Sequence, residues 1–213
     1  MKKKILLALF IILIISIFYF FYRSKRNESY KRIINLFDEV KDENYLAYFF
    51  RYPNISKGDL ENKIKLSMSI NELYLLKPKD EYNSEEVKEI YKSLFGPNKY
   101  VSENTFFKDK TVIYENNKYI LKYSDKDTKF KVYQMIVKKE YFFNKLSVYI
   151  RQGYIKKSHD RYDIYKFYDN GYIDSVDDIK EIENYEKDLN LYKFEFIMKK
   201  NKYYFERVGE VKW

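Results

Sequence analysis

The chain reads as an α+β protein: an apolar amino-terminal helix, then amphipathic helices packed on a curved antiparallel β-meander. Three observations predict it. An uncharged apolar run fills residues 5–22. Helical spacing of apolar residues then prevails as far as Pro97. Past that point the apolar period shortens to two, interrupted by turn sequences, and helices followed by a run of strands is the order of an α+β domain.

The first element runs from Ile5 to Tyr22 without a charge, glycine or proline, between Met1-Lys2-Lys3-Lys4 and Arg23-Ser24-Lys25-Arg26. At 1.5 Å per residue a helix of this length reaches about 27 Å, against roughly 30 Å of bilayer hydrocarbon. A cleaved signal peptide is the competing expectation, but it calls for small residues at the cleavage point. Here the run ends in Phe18-Tyr19-Phe20-Phe21-Tyr22, and such aromatics suit a membrane–water interface. The segment is therefore expected to be an uncleaved single-pass anchor, held by Ile5, Leu9, Ile12, Ile15, Phe18 and Phe21. Arg23, Lys25 and Arg26 form a juxtamembrane basic segment over residues 23–27. Basic residues flank both ends, and a long domain is translocated largely regardless of its charge. The expectation is residues 1–4 in the cytoplasm and the domain outside.

The net charge of +9 invites a nucleic-acid partner. Yet the first 26 residues hold six of the 41 basic residues and no acid, which leaves 35 against 32, or +3, for residues 27–213. Lys41-Asp42-Glu43 and Lys180-Glu181-Ile182-Glu183 alternate in sign, unlike the clustered basic face of a nucleic-acid domain. No nucleic acid is expected. Cysteine is absent, which removes disulfides, thiol catalysis and thiolate metal sites. The 25 Tyr and 17 Phe are read as core and sheet packing, because these residues form strands and bury large apolar bodies.

Residues 28–97 read as a helical region. Ile33, Leu36, Phe37 and Val40 follow the three-four rhythm, with Tyr45, Phe49 and Phe50 able to extend that face before Pro53. From Asp59 to Leu76 the pattern is double: Leu60, Ile64, Met68 and Leu75 fit a helix, whereas Ile64, Leu66, Met68 and Ile70 alternate. Length favours the helix. Ser84 is the expected cap of a third helix, with Glu85 and Glu86 at its positive end and Val87, Ile90, Tyr91 and Leu94 on one face. Gly96-Pro97 stops it.

Residues 98–213 read as sheet. Thr111–Tyr114 and Tyr119–Tyr123 flank Glu115-Asn116-Asn117-Lys118 as a hairpin. Further strands are expected over Phe130–Lys138, Lys145–Arg151 and Tyr162–Tyr168, the last leading into Asp169-Asn170-Gly171. A short helix is expected over residues 176–189, capped by Ser175. Leu191–Met198 and Tyr203–Val208 close the chain as a hairpin around Lys199-Lys200-Asn201-Lys202.

The anchor, the 59–76 helix, the ending Tyr91-Lys92-Ser93-Leu94-Phe95-Gly96-Pro97 and the closing hairpin Tyr192-Lys193-Phe194-Glu195-Phe196 with Tyr203-Tyr204-Phe205-Glu206-Arg207-Val208 together resemble exported or membrane-anchored proteins of low-GC Gram-positive bacteria. The resemblance covers about two-thirds of the chain and implies no active site.

Chemistry-bearing groups are few. His159, the one histidine, lies in Ser158-His159-Asp160-Arg161; a contiguous Ser-His-Asp is no triad, since triad members meet in space, and a polar turn is expected. Asp174, Asp177 and Asp178 could bind a cation through oxygen, but acids at a helix start are favourable without metal. Asp125 and Asp127 read as loop. No phosphate-binding loop, G-x-S-x-G or H-E-x-x-H occurs, so no catalytic, metal or cofactor residue is assigned.

These readings point to a membrane-anchored, extracytoplasmic, non-enzymatic binding or assembly module that touches membrane lipid and a protein or envelope polymer. The layout of helices on a curved meander resembles cystatin-like and NTF2-like domains, and with its anchor it is similar to anchored assembly components of conjugation machines. A carboxylate-based envelope hydrolase and a toxin-immunity or sensor protein are the alternatives.

Overall fold

The computed structural model describes residues 9–19, 29–38, 54–56, 58–97, 99–107, 110–122, 130–166 and 171–211. The architecture is α+β with antiparallel sheets, as the sequence predicts. Besides the helical residues 9–19, the described residues hold three α-helices, α1 (Ser29–Asp38), α2 (Asn62–Leu76) and α3 (Ser84–Phe95), which precede most of the strands. The strands do not form one meander. They divide between a seven-stranded sheet in the order β1-β11-β10-β7-β8-β9, with β6 pairing β7, and a four-stranded sheet in the order β2-β5-β4-β3.

The larger sheet comprises β1 (Asn54–Ser56), β6 (Phe130–Phe142), β7 (Lys145–Ser158), β8 (Arg161–Lys166), β9 (Tyr172–Val176), β10 (Asn190–Lys199) and β11 (Lys202–Glu210). The smaller comprises β2 (Glu81–Asn83), β3 (Thr105–Phe107), β4 (Lys110–Glu115) and β5 (Lys118–Lys122). Strands β1, β2 and β3 have three residues each, too few to show a period of two. Their pairings separate the sheets: β1 lies on β11, and β2 on β5.

One continuous core links the two sheets through the helices. Leu146, Val148 and Ile150 of β7, Phe194 and Phe196 of β10 and Tyr203, Phe205 and Val208 of β11 point to the helices. Tyr30 of α1 packs against Phe196 and Tyr203 at 6.0 and 6.1 Å between ring centroids. On the other side Phe106, Phe107, Val112, Tyr119 and Leu121 of the smaller sheet join the same cluster, with the Phe107 ring 4.9 Å from that of Tyr74.

Helix α2 is buried at every position from Ile64 to Leu73. That resolves its double pattern. A helix covered on all sides needs no amphipathic rhythm, so its apolar residues can fall at alternate positions without making a strand. Helix α1 realises the predicted Ile33 and Leu36 face, whereas its extension through Val40 to Phe50 lies outside the described residues.

Helix α3 starts one residue earlier than expected. Asn83, not Ser84, is its cap: Asn83 and Glu86 form a capping box in which the Glu86 carboxylate accepts from the Asn83 backbone N–H at 3.1 Å. Ser84 instead belongs to a hydroxyl network with Tyr100 and Ser102. The stop falls as predicted, at Gly96 with φ 77°.

The 176–189 segment differs most. Ser175 cannot cap a helix because Tyr172–Val176 is strand β9, in which Ser175 faces Asp163 of β8 and donates its hydroxyl to that carboxylate. The cap moves to Asp178, which starts a 3-10 helix over Ile179–Asp188 and accepts from Lys180 N at 2.9 Å. Ile182 and Leu189 then cover Ile155, Ile164 and Val176 as a satellite core on the back of β7–β9. Gly153 permits this: a Cβ there would lie 2.5 Å from Leu189 Cδ2 and 2.8 Å from the Tyr165 carbonyl oxygen.

Residues 9–19 are helical and every one is exposed. The flanks of the predicted 5–22 span lie outside the described residues. Among the described residues no helix is long and apolar enough to cross a membrane, so the expected span is not seen as such.

Candidate functional site

Along β7 and β10 the side chains alternate between the helix-covered inner face and an outer face. On the inner face Phe194, Phe196, Tyr203 and Phe205 are buried, so aromatic rings fill the space that a ligand in the sheet's concavity would need. The outer face behind them carries a groove of about 690 Å³ lined by Ser56, Glu140, Phe142, Lys145, Ser147, Lys193, Glu195, Ile197, Glu206 and Arg207, among others.

Strand register builds this groove in rows. Ser56, Arg207, Glu195, Ser147 and Glu140 stand side by side across β1, β11, β10, β7 and β6. The next row sets Lys193, Tyr149 and Lys138 abreast. Glu195 accepts from Arg207 and pairs with Lys193 at 2.8 Å. Glu140 pairs with Lys138 at 2.5 Å and accepts from the Tyr149 hydroxyl at 2.9 Å. The Lys138 and Lys193 ammonium groups stand 5.7 and 5.9 Å from the Tyr149 ring centroid, within cation–π range. At one end Arg151 donates to the carbonyls of Lys187 and Leu189, at 3.3 and 2.7 Å, and ties the 3-10 helix down.

These contacts fix the electrostatics. Burial raises the Glu195 carboxyl, but hydrogen bonds from Arg207 and Lys193 outweigh it and leave the pKa below the usual carboxylate value. Lys138 and Tyr149 hold Glu140 down as well. A general acid must keep its proton near neutral pH, which neither of these lowered carboxylates does. Among the described residues Glu72 of α2 is pushed the other way, raised by burial against the pull of Arg32. It pairs with Arg32 inside the helix layer, where Arg32 also donates to Ser93 at 3.2 Å.

The remaining polar candidates have structural partners. His159 sits at φ 54° in the exposed β7–β8 turn, as expected for a polar turn. Asp174 accepts from the Tyr185 hydroxyl at 2.7 Å and Ser175 N at 2.8 Å, Asp177 pairs with Arg161 at 2.9 Å, and Asp178 caps. Hydrogen bonds from Tyr185 and Ser175 lower the Asp174 pKa. Among the described residues no group of three acids or histidines could hold a metal ion. Asp125 and Asp127 lie outside the described residues.

Of the residues expected to anchor the chain, Leu9, Ile12, Ile15 and Phe18 fall in the 9–19 helix, exposed by 60, 59, 61 and 72%. Ile5, Phe21, Arg23, Lys25 and Arg26 lie outside the described residues. The groove was missed by sequence reasoning because its members are spread from residue 56 to residue 207. A signal was present in the polar phase of the alternation, Lys138-x-Glu140, Ser147-x-Tyr149-x-Arg151 and Lys193-x-Glu195.

Compared with protein-family models, with curated proteins and with solved structures, the chain matches none.

Proposed function

We propose that the chain is a single-pass membrane protein whose extracytoplasmic domain is a non-enzymatic binding or assembly module. The observation that carries this reading is the 9–19 helix: apolar, uncharged and exposed along its whole length, while neither core cluster contains any of its residues. A helix apolar on all sides is at rest in a core or in lipid. The domain's own cores are filled without it, so lipid is the medium that fits. Residues 5–22 would supply the full span, with the amino terminus in the cytoplasm and the kinship to exported proteins of low-GC Gram-positive bacteria as part of the same reading.

The outer groove supports binding over hydrolysis. Its two central carboxylates are cation-paired and lowered, and the inner concavity is filled by aromatics. A partner protein or envelope polymer would meet a polar face of alternating charge, with Tyr149 between two ammonium groups. The immunity or sensor role is this reading with one dedicated protein partner.

Alkaline carbonate extraction and protease treatment of intact protoplasts test placement. The chain is expected to stay in the membrane pellet at high pH, and external protease to remove the domain while leaving the anchor. Release by carbonate would sink the anchor, and full protection would reverse the orientation.

A further inference from the structure

The β6–β7 and β10–β11 turns lie at the same end of the larger sheet, since Lys145 faces Ile197 and Met198 N donates to the Asn144 carbonyl at 2.7 Å. Helix α1 begins at this end too, where Ser29 Oγ accepts from Tyr203 N at 2.9 Å. Two features meet there. Phe142 and Phe143 are exposed by 68 and 63%, edge to face with each other at 4.7 Å between centroids. Around them Lys145, Lys199, Lys200 and Lys202 are all exposed. The two tips, residues 142–145 and 199–202, contain four lysines and no acid.

The linker from the apolar helix enters the domain at this end, at Ser29. Nine residues lie between Tyr19 and Ser29, so the two are at most about 35 Å apart when the link is fully extended. The far end of β7, at Ser158, lies about 43 Å from Lys145 along the strand. Exposed phenylalanine rings gain by burial at the boundary of headgroups and acyl chains, and basic side chains close to an anionic surface are drawn to it. Neither feature serves the fold, because the two phenylalanines bury little and the lysines point into solvent.

We propose that this hairpin end docks on the bilayer that carries the protein, Phe142 and Phe143 entering the headgroup region and Lys145, Lys199, Lys200 and Lys202 meeting anionic phospholipid headgroups. The proposal rests on the membrane-anchored reading. It holds the domain upright, with the outer groove alongside and the His159 turn pointing away from the membrane.

The test uses the full chain reconstituted in vesicles rich in phosphatidylglycerol, with Trp213→Phe to remove the single native tryptophan and Phe143→Trp or Phe142→Trp as the reporter. Brominated acyl chains are expected to quench at least about half of the reporter emission, with a blue-shifted maximum, while a His159→Trp reporter is unaffected. Reversing the four lysines to glutamate is expected to abolish the quenching. Co-flotation with vesicles but no quenching at either phenylalanine position, or equal quenching at position 159, overturns the docking alone. Failure to co-float overturns the anchored reading and the docking with it.

Discussion

Phe143 occupies the left-handed region at φ 50°, where an L-residue other than glycine is disfavoured by roughly 1–2 kcal/mol and asparagine is better tolerated. The other hairpin turns each place a better-suited residue there, Asn116 and Asn117 at 50° and 60°, His159 at 54° and Asn201 at 62°, although Lys200 beside it also lies at 48°. Phe143→Asn is therefore expected to raise the domain's stability by about 1 kcal/mol, read as a higher thermal midpoint in detergent. An unchanged or lower midpoint would show that the ring contributes packing that the exposed geometry does not suggest. Asn83 carries the opposite expectation. Removing its capping side chain with Asn83→Ala should cost about 1 kcal/mol, measured by urea unfolding, whereas Ser84→Ala should leave the α3 start intact.

At the level of elements, the 3-10 helix is held over β7 by one close approach, at Gly153. Gly153→Ala would force Leu189 and the Tyr165 backbone apart, and a destabilisation of about 1–3 kcal/mol is expected from chemical denaturation. The outer face makes a pH prediction. The folded-state pKa of Glu195 lies below the ordinary glutamate value of about 4.3. Its stabilisation is then complete above that pH and is lost as pH falls through the folded-state value. The stability gap between the wild-type chain and Glu195→Gln should accordingly narrow below about pH 4.3; a gap independent of pH would mean the carboxylate charge contributes nothing. Helix α3, to within one residue at its cap, the β4–β5 hairpin and the β10–β11 hairpin were legible in the sequence because a Gly-Pro stop and two-residue turns are local. The division into two sheets was not, because it is decided by three-residue strands whose partners lie far along the chain. The groove shares that character: Arg207, Glu195, Ser147 and Glu140 become neighbours through register alone.

The whole molecule is tied by a core that passes from β7, β10 and β11 through the helices into β3, β4 and β5. Far-UV and near-UV circular dichroism should therefore lose signal in one coincident urea transition. Two separated transitions would mark the smaller sheet as an independent unit. Strand β6 bears on a different property of the whole. It pairs with β7 along most of its 13 residues, and among the described residues nothing pairs with its other edge. A long open edge invites the same strand of another molecule. Here the register slips between Ile136 and Lys138, leaving Val137 as a bulge, and two lysines follow it. Bulges and edge lysines spoil the straight template that strand addition needs. Deleting Val137 would straighten the edge, and the chain should then self-associate with rising concentration in analytical ultracentrifugation. One irregular residue keeps neighbouring copies of the chain from growing an intermolecular sheet.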